Sequence, residues 1–316
     1  MLVDTHAHLH FHSFRNDREE VIKRTLDEGI SFVMPGIQID TSRAGVELAE
    51  KLNDSRIYAS IGLHPIHVNK DRVDEDEVGP LEKFTTREES FNRGAYEELI
   101  VSPKVIAVGE IGLDYWRKPK TTARKKEFVR RQKDAFISQL DLALQYKKPL
   151  ILHCRVAHDD MLDILKNHPI VTKLQPPGVV HSYTGDLEQL KKFLDMGFYI
   201  GVNGLVFKLP FVEDAVAQAP LERIVLETDA PYLLPPLPAV APASQEPQSY
   251  VAKSFDDGAR NGSAKEGQVK DTERNEPIFI KYTAQKIAEI KGLTFKEVEA
   301  QTTKNAQTLF GVEFKI

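Results

Sequence analysis

The sequence predicts an α/β protein of the (β/α)₈ TIM-barrel class. Eight short apolar runs recur along the chain, and segments with helical spacing of apolar residues lie between them. Runs that are apolar throughout are typical of parallel strands buried on both faces. The length of 316 residues also suits such a barrel. The structural alternative, an open doubly wound sheet, is disfavoured because no G-x-G-x-x-G turn follows the first run.

The eight apolar runs are the predicted strands. In chain order they cover residues 2–6, 30–36, 57–65, 104–114, 149–153, 178–182, 198–204 and 223–231. Helical spacing of apolar residues is found in residues 17–29, 124–146, 158–168, 276–292 and 294–311. Gly29 is expected just after the last turn of the first helix, where glycine commonly ends a helix.

Two stretches interrupt this alternation. Residues 66–95 are charged and lack clear periodicity. Residues 235–275 begin PPLPAVAP and continue with Ser, Gly, Gln and charged residues, a composition that favours a mobile loop or a partly disordered insertion. The sequence contains neither an internal repeat nor a second apolar core. Residues 1–316 are therefore predicted to form one domain with a flexible insertion at 235–275.

Composition and charge exclude several classes of protein. The net charge of -5 provides no global basic field for nucleic acids, although an enzyme needs cationic residues only along one cleft. The single cysteine, Cys154, excludes an intramolecular disulfide and fits a reducing compartment. We find no signal peptide and no apolar run of about 18 residues that could span a membrane. A cytoplasmic location is predicted, or a nuclear one in a eukaryote.

Residues that can bind metal end five of the predicted strands. They are His6 and His8, Glu110, His153, His181 and Asp229. In a barrel of this class the carboxyl ends of all the strands meet on one face, where active sites form. His6 and His8 are two residues apart, so on a strand both side chains project to the same side.

Four imidazoles and two carboxylates make a mixed nitrogen and oxygen site that suits zinc, manganese, nickel or iron. Taken singly, each residue has an ordinary alternative, such as a hydrogen-bonded histidine, a salt bridge for Glu110 or a turn cap for Asp229. Together they would leave costly unpaired charge, which metal coordination relieves. We therefore expect a metal-dependent hydrolase that uses a divalent cation, either zinc, manganese or magnesium.

Seven motifs resemble, in order, the TatD family of metal-dependent deoxyribonucleases, within the amidohydrolase-type barrels. They are DTHAHLHF (4–11), GLHP (62–65), VGEIGLDYW (108–116), ILHCR (151–155), HSYTG (181–185), ETDAPYLLP (227–235) and RNEP (274–277). The resemblance spans nearly the whole chain; VGEIGLDY and ETDAPYL are specific, whereas H-x-H is shared with many relatives. It implies a barrel of the metallo-dependent hydrolase type that cleaves phosphodiesters in DNA, often as a 3′→5′ exonuclease.

The matched motifs imply a bridging carboxylate and a shell for each of two metals. These are Glu110 as the bridge, His6, His8 and Asp229 for the first metal, and His153 and His181 for the second. Asp229 would also contact the attacking water, which makes Asp229 and Glu110 the expected catalytic residues. Glu227, two residues before Asp229, is expected to support a ligand. Asp114 belongs to a motif but receives no role.

Four further residues are predicted to contact the substrate. His64 would hydrogen-bond a phosphate, and its ordinary alternative is a turn histidine before Pro65. Arg155 would reach a phosphate as well. Tyr115 and Trp116 would stack against a base of the DNA, as aromatic side chains do in proteins that bind single strands. Single-stranded DNA is therefore among the expected substrates.

The basic residues between positions 117 and 131 have two interpretations. We favour a solvated helix face, and the alternative is a track for the DNA backbone.

The insertion at 235–275 would emerge on the active-site face as a lid, a strand contact or, by default, an inert loop. Arg274 and Asn275 are expected to anchor and cap the helix that follows, with Pro277 in its first turn.

Two other functions remain open from the sequence. A small-molecule amidohydrolase would cleave a cyclic amide or lactone with the same metal pair, or an aminoacyl-tRNA ester. Many relatives bridge their metals with a carboxylated lysine, so Glu110 in that place favours the nuclease branch. A non-catalytic barrel that binds nucleic acid or a partner would not need all six ligands. The protein is expected to be a monomer or weak oligomer, with DNA as its substrate and no membrane as a partner.

Overall fold

Eight parallel strands form one sheet in which each strand pairs with the next along the chain. The computed structural model describes residues 1–69, 88–237 and 274–315. The strands are β1 (Leu2–Asp4), β2 (Ile30–Pro35), β3 (Ile57–Ile61), β4 (Val105–Asp114), β5 (Leu150–Arg155), β6 (Gly178–Val180), β7 (Tyr199–Val202) and β8 (Ile224–Leu226). Nearly all of their residues are buried, as continuous apolar runs predict.

Helices join the strands and, at the end of the chain, follow the last strand. They are α1 (Arg18–Asp27), α2 (Ile39–Leu52), α3 (Arg93–Ile100), α4 (Thr122–Tyr146), α5 (His158–Asn167), α6 (Ile170–Lys173), α7 (Leu187–Asp195), α8 (Pro210–Gln218), α9 (Ile280–Lys291) and α10 (Phe295–Phe310). Gly29 follows α1 with a φ of 70°, a left-handed conformation that glycine adopts without steric penalty. Among the described residues, no helix has the length and apolarity needed to cross a membrane.

Hydrogen bonds beyond the ends of β1 and β8 bring the first and last strands together. The amide of Asp229 donates to the carbonyl of His6 at 2.9 Å, and the amide of His8 donates to the carbonyl of Ala230 at 2.7 Å. The sheet thereby returns to its first strand and forms a nearly closed barrel. This confirms the predicted (β/α)₈ class.

The last helix packs against one end of the barrel. Residues from the strands and from the carboxyl-terminal segment form one apolar cluster, which contains Val3, Val33, Ile106, Ala107, Ile151, Val179, Tyr199, Val225, Ala306, Leu309, Phe310 and Phe314. In α10, Thr303 donates to the carbonyl of Met1 and Asn305 to the carbonyl of Ile224. Met1 and Ile224 lie at the amino ends of β1 and β8. Helix α10 therefore covers the end opposite the carboxyl ends of the strands.

Six strands end before their predicted runs, and β3 and β8 do so by the widest margin. β3 ends at Ile61 although its run continues to residue 65, and β8 ends at Leu226 although its run continues to residue 231. The residues that follow form a 3₁₀ turn, Pro65–His67, and the loop that contains Asp229. Apolar content alone does not distinguish the end of a strand from the loop that continues it.

Both interruptions of the strand–helix pattern fall largely outside the described residues. Residues 70–87 of the charged stretch 66–95 and residues 238–273 of the expected insertion at 235–275 are not among them. The expectation of a flexible insertion therefore stays a prediction.

The segment that begins at Arg274 is anchored to the barrel but does not cap a helix through Asn275. The Nη1 group of Arg274 donates to the Oδ1 atom of Asp17 at 2.9 Å, which is the expected anchor. Glu276, and not Asn275, directly precedes the 3₁₀ turn Pro277–Phe279. The predicted cap is wrong because the side-chain amide of Asn275 bonds the loop after β8 instead.

Candidate metal centre

The six predicted ligands lie together at the carboxyl ends of the strands. They are His6, His8, Glu110, His153, His181 and Asp229. The side chains of His153 and Asp229 are exposed to 19% and 17%, and the other four are buried. Residues from five strands and the loops that follow them thus surround one partly exposed site, as the barrel topology predicts.

One group of donors lies around His6 and His8. Their Nε2 atoms are 3.1 Å apart. The Oδ1 atom of Asp229 lies 3.5 Å from Nε2 of His8, and the Oε2 atom of Glu110 lies 3.3 Å from Nε2 of His6. Two imidazole nitrogens and two carboxylate oxygens therefore converge on one point, as ligands of a divalent cation do.

A second group lies on the other oxygen of Glu110. The Oε1 atom is 3.0 Å from Nδ1 of His153 and 3.3 Å from Nε2 of His64. The Nε2 atom of His181 is 3.9 Å from this oxygen and also 3.9 Å from Oδ1 of Asp229, so it lies between the two groups. Glu110 is shared by both groups, which makes it the geometric centre of the site.

A β-bulge directs Glu110 towards the other donors. Val108 pairs with Leu150, whereas the next pairing joins Ile111 to Leu152, so β4 has one extra residue between these pairs. Bulges of this kind change the direction of a side chain and are common beside active sites. The extra residue places Glu110 where a regular strand would not.

Three of the histidines are oriented through their second ring nitrogen. Nδ1 of His8 lies 3.1 Å from the carbonyl of Pro35, and Nδ1 of His181 lies 2.9 Å from a carboxylate oxygen of Glu227. For His153, Nε2 lies 2.9 Å from Oδ2 of Asp114. An N–H group that donates to these acceptors leaves the other ring nitrogen with a lone pair for a metal. The donor set therefore fits divalent cations.

Glu227 is itself held by the surrounding structure. Its Oε1 atom accepts from the amide of Ser182 at 2.7 Å and from Nδ2 of Asn203 at 3.0 Å. A side chain at Gly201 would collide with this carboxylate, because a Cβ atom there would lie 2.3 Å from Oε2. The carboxylate is therefore fixed in position against His181.

Burial and neighbouring charges shift the pKa values of the groups in the site. Although burial opposes it, hydrogen bonds to Asp114 and Glu110 raise the pKa of His153 to about 9. Burial would also lower the pKa of His181, but Glu227 raises it to about 10. Burial would raise the pKa of Glu110, but the nearby histidines hold it well below its usual value. A divalent cation can replace the charge of these protons, since metal binding displaces them.

The structure adds residues whose roles the sequence did not assign. Asp114 orients His153, and Asn203 holds Glu227. The role of Asp114 could have been predicted from the sequence, because Asp114 is a carboxylate at the end of the strand that contains Glu110. Asn203 carried none, since a single asparagine after a strand most often makes a turn.

The predicted substrate contacts differ in exposure. Trp116 is 51% exposed, and the guanidinium of Arg155 lies 4.4 Å from its ring centre. Tyr115 is buried, and its hydroxyl donates to Asp160 at 2.8 Å, so in this structure only Trp116 presents its ring to solvent. His64 precedes the turn Pro65–His67 as well as facing Glu110.

Two of the basic residues in the stretch 117–131 are paired with carboxylates. Arg130 bonds Glu127 and Asp134 on the exposed side of α4, and Arg131 bonds Glu88. This agrees with the interpretation of a solvated helix face.

A barrel with histidines and carboxylates gathered at the carboxyl ends of its strands defines a metal-dependent hydrolase. The model of the TatD related DNase family matches residues 3–311. The chain belongs to this family, and it is a metal-dependent nuclease. This confirms the prediction of an enzyme and not the alternative of a non-catalytic barrel.

Relatives and solved structures support this family assignment. The chain is 32% identical to the uncharacterized metal-dependent hydrolase YabD of Bacillus subtilis, over 99% of this chain and 100% of that protein. It is 27% identical to the 3′-5′ ssDNA/RNA exonuclease TatD of Escherichia coli K12, with the same coverage. The crystal structure of YJJV, a TatD homolog from Escherichia coli K12, superposes with a TM-score of 0.71 at 28% identity, covering 99% of this chain and 98% of that one.

Proposed function

We propose that this nuclease removes nucleotides from the 3′ end of single-stranded DNA at a site that holds two divalent cations. The observation that carries the proposal is the sharing of Glu110 by two groups of donors, one on each of its oxygens. A pair of cations about 3.5–4 Å apart is a recurrent arrangement for in-line hydrolysis of phosphodiesters. The 3′-5′ exonuclease named among the relatives supports the polarity and the preference for single strands.

The distances divide the ligands between the two cations, except for His181, which lies between the groups and which we place with the second. We assign to the first cation His6, His8, Asp229 and Glu110, and to the second Glu110, His153 and His181. His64 is near enough to Glu110 to contact either the second cation or a phosphate bound there. Cation content of a His64→Ala variant distinguishes these two roles. Zinc, manganese and magnesium are the candidate cations.

When bound, the cations lower the pKa of water towards about 7 and neutralise charge on the phosphate. Asp229 accepts a proton from the attacking water. The carboxylate is ionised at neutral pH and so can take the proton: burial would raise the pKa of Asp229, but His8 and His181 outweigh burial and lower it. The water oxygen bonds to phosphorus as the bond to the 3′ oxygen of the preceding nucleotide breaks.

Trp116 and Arg155 lie beside this site and suit a nucleotide. The exposed indole offers a surface on which a base stacks, and the guanidinium lies over it, two residues after His153. We assign base stacking to Trp116 and phosphate contact to Arg155.

Three further assignments accompany this function. We propose that the chain works as one domain, as a monomer or weak oligomer, in the cytoplasm. The single, buried thiol of Cys154 is compatible with a reducing compartment.

The test combines cation content with hydrolysis of single-stranded DNA labelled at its 5′ end. Wild type should bind close to two cations and shorten the strand stepwise from the 3′ end, and a chelator should stop it. Glu110→Ala and Asp229→Asn should remain folded and lose about a thousandfold or more of the rate. Glu127→Ala, which alters only the surface pair with Arg130, is the control.

The possible outcomes separate the candidate functions. Near-normal turnover by Glu110→Ala or Asp229→Asn would contradict the catalytic assignments. Fragments cut at internal positions would contradict the exonuclease. Bound cations without any cleavage of DNA would instead favour the small-molecule or aminoacyl-ester hydrolase.

A further inference from the structure

Asn275 connects the segment after residues 238–273 to the loop that contains Asp229. Asn275 is completely buried. Its Nδ2 group donates to the carbonyls of Thr228 at 2.9 Å and Tyr232 at 2.6 Å. Its amide donates to the carbonyl of Pro231 at 3.0 Å. These three carbonyls lie on both sides of Asp229, so one residue bonds both ends of the loop.

The loop needs such support because of its backbone conformation. Asp229 has a φ of 57°, in the left-handed region that residues with a side chain seldom adopt. Within the loop, the amide of Tyr232 donates to the carbonyl of Asp229 at 2.8 Å. Strained residues of this kind persist only where neighbouring contacts hold them.

We propose that Asn275 is a positioning residue that holds the carboxylate of Asp229 in place for the first cation. The inference rests on the proposed function, because it requires Asp229 to be a ligand. Asn275 touches neither the cation nor the substrate. It acts through the backbone carbonyls of Thr228 and Tyr232, which flank Asp229.

The chain contains a matched control at the other end of the same strand. Asn305 is 3% exposed, and its Nδ2 group donates to the carbonyls of Leu221 and Ile224, both at 2.7 Å. Asn275 and Asn305 therefore make the same pair of buried bonds, at the carboxyl and amino ends of β8 respectively. Only Asn275 lies beside the candidate metal centre.

The experiment measures two quantities for Asn275→Ala, Asn305→Ala and wild type. Urea unfolding in chelator gives the stability of the cation-free protein, and calorimetric titration gives the affinity for Mn²⁺. Both variants should lose stability to a similar extent, because each loses two hydrogen bonds donated by Nδ2 and one accepted by Oδ1. Only Asn275→Ala should lose affinity for Mn²⁺, by about tenfold or more.

Two further variants make the outcome decisive. Asn275→Ser keeps one donor and should give an intermediate loss of affinity; it also carries the test if the alanine variant does not fold. Equal Mn²⁺ affinities for the Asn275 variants and wild type, or an equal loss in Asn305→Ala, would overturn the positioning role. If Asp229→Asn binds Mn²⁺ as wild type does, the ligand assignment fails first and the role of Asn275 fails with it.

Discussion

Asp114 decides which nitrogen of His153 faces Glu110 in the candidate metal centre. Its carboxylate lies 2.9 Å from Nε2, which leaves Nδ1 directed at Glu110. We predict that Asp114→Asn lowers the affinity for Mn²⁺ by about 10- to 100-fold, because residues that orient a ligand have effects of this size. Titration of the cation-free protein with Mn²⁺ measures the change. Asp160→Asn, which alters a carboxylate bonded to Tyr115, should bind Mn²⁺ normally.

Trp116 should act on substrate binding and not on the chemical step. We predict that Trp116→Ala raises KM for single-stranded DNA about tenfold and leaves kcat within a factor of about two, since stacking of one base contributes roughly 1–3 kcal/mol. Steady-state kinetics on a short labelled strand separate the two constants. Phe211→Ala removes another exposed aromatic ring and should change neither. A fall in kcat with unchanged KM would contradict the stacking role.

At this scale the sequence predicted the grouping of the candidate ligands better than the residues that orient them. His6, His181 and Asp229 follow the ends of β1, β6 and β8, and barrel topology alone brings strand ends together. The contacts of Asn203 and Asn275 depend on the course of loops, which no local pattern encodes. The sequence also did not predict that Tyr115 is buried while Trp116 is exposed. Two adjacent aromatic residues give no indication of which one faces the interior until the backbone direction is known.

Between elements, an ion pair joins α1 to the segment that precedes α9. Arg274 bonds Asp17, just before α1, and also Glu276, which in turn bonds Arg24 of α1. We predict that Arg274→Gln lowers the free energy of unfolding by about 2 kcal/mol at pH 7, the size of a hydrogen bond between charged groups. Urea unfolding in the presence of chelator measures it.

The same variant should show a pH dependence with a defined sign. The hydrogen bond from Arg274 lowers the pKa of Asp17 below its unfolded value of about 3.9. The stabilisation by this pair is therefore complete above the unfolded pKa and is lost as pH falls through the folded pKa. The difference between wild type and Arg274→Gln should shrink at about pH 3. A difference that is constant from pH 7 to pH 3 would show that Asp17 is not the partner that matters.

The strands and helices were largely predictable, and their irregularities were not. Helix spacing placed α4 and α5 within two residues of their observed limits, because apolar periodicity and burial coincide there. The bulge at Glu110 could not be predicted, since it reflects the pairing of β4 with β5 and not the composition of either strand.

In the molecule as a whole, the apolar cluster formed with α10 and the candidate metal centre lie at opposite ends of the barrel. Leu309 is 2% exposed in the apolar cluster formed with α10. We predict that Leu309→Ala lowers the free energy of unfolding by about 3 kcal/mol, through lost burial and the cavity that remains. The Mn²⁺ affinity should be unchanged within about twofold. Urea unfolding and Mn²⁺ titration test the two parts, and a large loss of affinity would show that the two ends are coupled.

The junction between β1 and β8 sets the moment at which a newly made chain becomes active. His6 and Asp229 contribute both the backbone bond that joins the first strand to the last and two of the proposed ligands. A ribosome must therefore release the chain at least as far as Asp229 before the centre can assemble. A chain that ends before Asp229 lacks both a proposed ligand and the backbone bond that joins the first strand to the last.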